Sequence, residues 1–196
     1  MIVTDLETTG TNPEKHSIVS IGAIDLLNPQ RTFYAECRIW EGAHIDKKAL
    51  EINDMTERDA VDDSKKSEAA IVEEFLGWAM QSNDHTIAAH NPVFDLSFLE
   101  EAAARAHLNF PLAHRSIDQH SVTLTHMLLN DTEVPIEKGR TAINSDYIMK
   151  YVGIPTEPRP HNALNGALWE AEALSRMLYN KNLLEQFRGY NIPWIS

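Results

Sequence analysis

The opening stretch Met1-Ile2-Val3-Thr4-Asp5-Leu6-Glu7-Thr8-Thr9-Gly10 constrains the rest of the chain most. Ile2 and Val3 begin a buried strand, and strand alternation then puts Asp5 and Glu7 on one face. Two neighbouring carboxylates repel each other. An extended backbone that aims both the same way beside an apolar run makes most sense with a cation between them. Without its flanks, the pair would read as the solvated face of an edge strand. Thr8-Thr9-Gly10 is a turn signal straight after the acids, and it places them at the strand's carboxyl end, where open α/β sheets bind ligands.

A chain of 196 residues with 43% hydrophobic content supports one domain with a sizeable core. No apolar run is long enough to cross a membrane, and with Ile2-Val3 already in a strand no signal peptide is expected, so the expected location is cytoplasmic with no membrane partner. The lone Cys37 reads as a small core or sheet residue. A net charge of −12 argues against wrapping long nucleic acid through a basic surface. It leaves room for a nuclease that grips a strand end through bound divalent metal.

Two further strands are read over 18–25 and 31–37, joined by a turn at Asn28-Pro29, giving an antiparallel meander. Asp46 caps a short helix through Ile52, and Asn53 to Thr56 are expected to form a loop over the site. Ser64 is expected to cap a helix with Ala69, Val72, Phe75, Leu76 and Ala79 on its inner face. A strand over 86–90 is broken by Asn91-Pro92, and an alanine-rich helix follows from Phe94 to about Ala106, with Asp95 at the junction. Ser116 to Asp118 end a fifth strand, Asp118 capping a helix through Leu129. The polar stretch 130–140 reads as a surface loop. A helix over 144–152 stops at Gly153, and after the proline-rich segment 155–160 comes His161, then a long helix over 162–179. The tail 181–196 is expected to pack back. This order predicts an α/β domain with a mixed sheet.

Three stretches stand out: Asp5-Leu6-Glu7-Thr8-Thr9-Gly10, His90-Asn91-Pro92-Val93-Phe94-Asp95 with Phe98-Leu99, and His161-Asn162-Ala163-Leu164-Asn165-Gly166-Ala167. In this order and spacing they resemble the DEDDh exonucleases, the DnaQ-like group that includes the proofreading subunit of bacterial DNA polymerase III, RNase T and oligoribonuclease. The resemblance runs to about Leu178, and Ala49 to Asn53 also follow the family. It implies a single exonuclease domain over 1–196 with a ribonuclease H-like fold, a five-stranded mixed sheet flanked by helices, and 3′→5′ removal of nucleotides by two divalent metals. It further implies Asp5, Glu7 and Asp95 as metal ligands and His161 as general base. Leu6, Thr8, Met55 and Phe94 would lie near the last base and sugar, with Asp54-Met55 departing from the more usual Gly-Ile. The implied partner is the 3′ end of single-stranded DNA or RNA, and the family contains both polymerase-associated and self-associated members. Hard carboxylate oxygens suit Mg²⁺ or Mn²⁺, and a histidine with a pKa near 6.5 suits proton transfer from water. His90, His120 and His126 show no Cys/His spacing of a zinc site.

The family's third motif places an aspartate five positions after its histidine, and here that position is Gly166. The fourth carboxylate is missing. Three explanations stand: a variant disabled to trap substrate, a natural chain with weakened or absent catalysis that binds 3′ ends, or another acid standing in. Glu170, one turn along on the same face, is the near candidate, about 6 Å further down the axis.

Overall fold

The structure is a computed structural model and describes residues 1–195. Strands β1 (Ile2–Thr8), β2 (Ile18–Asp25) and β3 (Thr32–Arg38) form the antiparallel meander. Two short helices, α1 (Lys47–Ile52) and α2 (Glu57–Ala60), precede strand β4 (Lys66–Ser67) and helix α3 (Glu68–Ala79). The chain then alternates through β5 (Ile87–Ala89), α4 (Pro92–Arg105), β6 (Ser116–Asp118) and α5 (Gln119–Leu129). A hairpin of β7 (Ile136–Glu137) and β8 (Arg140–Thr141) leads to α6 (Ser145–Tyr151), the long helix α7 (Ala163–Tyr179) and a 3₁₀ turn over Glu185–Phe187. Among the described residues no helix is long and apolar enough to cross a membrane.

The main sheet has six strands in the order β4-β3-β2-β1-β5-β6, not the expected five. The extra strand is two residues long, Lys66 and Ser67 lying parallel to Cys37 and Arg38. Two residues carry no alternation to read. Because Lys66 and Ser67 are held on β3, α3 begins at Glu68 and Ser67 caps it instead of Ser64, its hydroxyl accepting from the Ala70 N–H at 3.3 Å. The stretch read as a loop contains the β7/β8 hairpin, turned by Lys138 and Gly139 at φ 48° and 77°. Both turn positions are left-handed, as a two-residue primed turn requires, and Lys-Gly is a weaker signal for it than Asn-Gly.

Alternation along β1 divides the core. Ile2 and Leu6 face α3 and α4, where Phe75 and Phe98 are fully buried, whereas Val3 faces α7 together with Ile24 and Ala88. Asp5 and Glu7 continue the Val3 face, so the acids project toward α7. That helix seats closely because β2 has Gly22 beneath its first turn, where a Cβ would collide with the carbonyl of Ala163. Cys37 is buried as expected, its thiol donating to the Ile18 carbonyl at 3.1 Å.

The far end of α7 is locked by Arg176, whose side chain is fully buried. It pairs with Glu172 at 2.8 Å and donates to the carbonyls of Val152, Phe187, Tyr190 and Asn191. The second oxygen of Glu172 accepts the Leu183 and Leu184 N–H groups at 2.8 and 2.9 Å. Removing one partner strands the other as an uncompensated buried charge. Arg176→Met is therefore expected to destabilise the fold by about 3–5 kcal/mol, read as a lower urea midpoint, whereas a change below about 1 kcal/mol would place the pair among weak, solvent-screened ones.

Candidate active site

β1 and β5 run parallel, Ile2 beside Ile87 and Val3 beside Ala88, so both carboxyl ends point the same way. The chain leaves β5 through Asn91 at φ 64° and enters α4 at Pro92, a residue suited to the first helical position because its missing N–H has no partner there. This sharp exit puts Asp95 in the first turn of α4, 3% exposed, above the end of β1. The backbone N–H groups of Leu6 and of Asp95 itself act on its carboxyl and partly offset the effect of its burial. The first two sequence motifs thus meet at the carboxyl ends of the adjacent strands β1 and β5.

The third motif arrives with α7. Asn162 caps the helix, its side-chain oxygen accepting from the Leu164 and Asn165 N–H groups at 3.0 and 3.3 Å, while its amide donates to the Tyr34 hydroxyl at 2.9 Å. His161 stands just before this cap. Its Nδ1 lies 3.0 Å from Glu157 Oε2, and the other Glu157 oxygen accepts the Asn162 N–H at 3.2 Å. Glu157, only 12% exposed, therefore ties the imidazole to the helix start. A carboxylate can only accept here, which selects the tautomer with its proton on Nδ1 and leaves Nε2 as the free acceptor. Sequence reasoning passed over Glu157; an acid four residues before a candidate base in a proline-stiffened segment was the available signal.

The acids outside this site show what ordinary burial demands. Asp25, Glu68 and Glu172 are each nearly inaccessible, and each has an arginine, Arg31, Arg105 and Arg176, within 3.1 Å. Asp5, Glu7, Asp95 and Glu170 have no such partner among the described residues. Burial, followed by the charges of Glu170, Glu7 and Asp95, holds the Asp5 carboxyl well above the usual range. Burial also raises Asp95 and Glu170, and burial with the charge of Glu157 lifts Glu7 to about 7. Four crowded carboxyls without a cationic side chain form a donor set that fits a hard divalent cation. Among the described residues no three His, Cys, Asp or Glu side chains are close enough together to hold a metal ion as they stand. Convergence on an ion therefore requires side-chain rotation, and Asp5 has the room: its carboxyl lies where a side chain at Gly166 would be.

Two depressions flank the acids. Leu6, Thr8 and Phe94 line a groove of 440 Å³, and Met55, Tyr34 and His161 line a neighbouring pocket of 400 Å³; Glu7 and Asn53 belong to both. The structure therefore brings Leu6, Thr8 and Phe94 together and sets Met55 on the other side of Asn53. Asp54 sits at φ 51°, a conformation that glycine adopts without strain.

A carboxyl whose pKa is higher in the folded than in the unfolded chain holds more protons when folded, so stability falls as pH rises between the two values. For Glu7 that interval runs from its ordinary 4.5 to about 7. The metal-free protein is expected to lose thermal stability from pH 4.5 toward 7, and Mn²⁺ should reverse the loss; scanning calorimetry with and without EDTA checks this.

The sequence matches the RNase_T exonuclease family over residues 2–174. It is 27% identical over 143 residues to Ribonuclease T of Buchnera aphidicola subsp. Baizongia pistaciae, covering 67% of this chain and 66% of that protein. It is 34% identical over 98 residues to the PolC-type DNA polymerase III of Thermotoga maritima, covering 50% of this chain and 7% of that one. The structure resembles E. coli Exonuclease I in complex with a dT13 oligonucleotide, with a TM-score of 0.72 and 17% identity over 89% of this chain and 40% of the other. The chain thus spans less than two thirds of each of these proteins, but the family match covers its strands, its three motifs and most of α7. It belongs to the RNase_T exonuclease family.

Proposed function

We propose that this chain is a metal-dependent 3′→5′ exonuclease that hydrolyses the terminal phosphodiester of single-stranded DNA or RNA and releases nucleoside monophosphates. One observation carries the reading: Asp5, Glu7 and Asp95 stand at the carboxyl ends of β1 and β5 without a cationic partner, and Glu7 shares a pocket wall with the Glu157-held His161. Support comes from the family match, from a relative named Ribonuclease T, and from the likeness to an exonuclease bound to a dT13 strand.

In this reading Asp5, Glu7 and Asp95 hold Mg²⁺ or Mn²⁺ through hard oxygen donors. A divalent cation held by these residues would supply a lower pKa for the attacking water and charge stabilisation at the leaving 3′ oxygen. His161 Nε2 accepts the water's proton while Glu157 keeps the ring from turning. Phe94 offers an aromatic face for the last base, with the β1 backbone at Leu6 and Thr8 beside it and Met55 closing from the adjacent pocket. Such a site holds one strand end and needs no basic track, consistent with a net charge of −12.

Release of mononucleotide from a labelled single strand, supplied with Mn²⁺ or Mg²⁺, tests the proposal. The chain is expected to release nucleotides from the 3′ end, His161→Ala to be slower by roughly 10²–10⁴-fold with end binding retained, and Asp5→Ala to be inactive. If neither the chain nor its Gly166→Asp variant cuts DNA or RNA, the fold serves here as a 3′-end binding module instead.

A further inference from the structure

Gly166 leaves α7 without an acid where the family places one, and the structure shows what occupies the gap. A Cβ at this position would overlap Asp5 Oδ2 and stand 2.7 Å from Asp5 Cγ. The carboxyl of Asp5 therefore rests directly against the helix. One turn on, Glu170 is 6% exposed, an acid on a stretch of α7 that is buried from Glu170 to Met177. Side chains on a helix lean back toward its N-terminus, so Glu170 reaches toward the turn that carries Gly166. A glutamate is also one methylene longer than an aspartate, which shortens the remaining separation.

The hydrogen bonds of Glu170 fix its direction. Its Oε2 accepts the His90 N–H at 3.1 Å, at the point where β5 ends and the chain turns toward Asp95. No group of the protein donates to its Oε1 among the described residues. After burial, the strongest charge acting on Glu170 is that of Asp95, and the strongest acting on Asp5 is that of Glu170. Every other acid this deeply buried outside the site has its arginine. A carboxylate anchored by one oxygen, free at the other and surrounded by uncompensated acids is arranged as a ligand for a cation.

The geometry points to Glu170 as the fourth carboxylate donor of this site, taking the part of the absent aspartate from one turn further along α7, with Gly166 providing the room in which Asp5 and Glu170 face each other. The inference rests on the exonuclease reading for the identity of the cations as Mg²⁺ or Mn²⁺, and it removes the need to regard Gly166 as a lesion. The glycine and the glutamate form one device: Gly166 lets the Asp5 carboxyl rest against α7, and an alanine at 170 would leave the second cation short of an anionic oxygen.

Mn²⁺ binding without nucleic acid, followed by electron paramagnetic resonance and calorimetry, tests this separately from catalysis. Glu170→Gln is the informative variant, because its amide oxygen still accepts the His90 N–H and so preserves any purely structural role. The chain is expected to bind two Mn²⁺, Glu170→Gln to bind one, and Gly166→Asp placed in the Glu170→Gln background to recover the second. If Glu170→Gln binds as many Mn²⁺ as the parent, or if the parent binds one and Gly166→Asp alone adds another, the assignment is wrong. Nucleotide release is recorded in parallel: two Mn²⁺ sites that depend on Glu170 but support no cleavage would overturn the exonuclease reading and leave this assignment standing.

Discussion

Everything distinctive about this protein depends on carboxyls that are buried together and not neutralised by the chain's own cations. A lone buried acid carries a desolvation penalty of several kcal/mol unless it is paired, and this fold pairs its other deeply buried acids with arginine. At the carboxyl end of β1 it does not. The sheet order places β1 between its antiparallel and parallel halves, so the strand that bears Asp5 and Glu7 also lies beside the strand that delivers Asp95. Topology concentrates the charge, and the family's divalent-metal chemistry gives that concentration a purpose.

Helix α7 sets the scale of the site. Gly22 lets its first turn lie against β2, and Gly166 lets its second turn lie against Asp5. Arg176 then pins the helix's last turns to the backbone of the C-terminal segment and of the loop after α6. A helix held at both ends presents Glu170, and the His161 that precedes its Asn162 cap, at fixed positions relative to β1, whereas Asn53 to Met55 lie in the loop between α1 and α2. Rigid support for the acids, with a loop beside the groove lined by Leu6, Thr8 and Phe94, is the arrangement that the proposed exonuclease site calls for.

Much of this was legible in the sequence. The D-x-E pair after an apolar run and the Asn-Pro break before Asp95 each carry local physics that fixes where the side chain sits. The His161-Asn162 stretch, by contrast, stood out through its resemblance to the family's third motif and not as a helix cap. The sixth strand and the β7/β8 hairpin were not legible, since two-residue strands have no period and Lys138-Gly139 lacks the usual turn residue. Glu170 was named from its helical spacing after Gly166, whereas Glu157 was passed over, and the weight of either could not be read locally. Glu157 bonds to His161 and Asn162 close by in sequence, but Glu170 takes its hydrogen bond from His90 across the fold, and only the packed structure separates it from a solvated glutamate.

The most direct test of the account is an anomalous diffraction map at the manganese edge from crystals grown with Mn²⁺ and a nucleoside monophosphate. The account predicts peaks bounded by Asp5, Glu7, Asp95 and Glu170, with His161 facing the phosphate. An empty cluster with its carboxyls hydrogen-bonded to one another, or manganese bound only elsewhere, would contradict it.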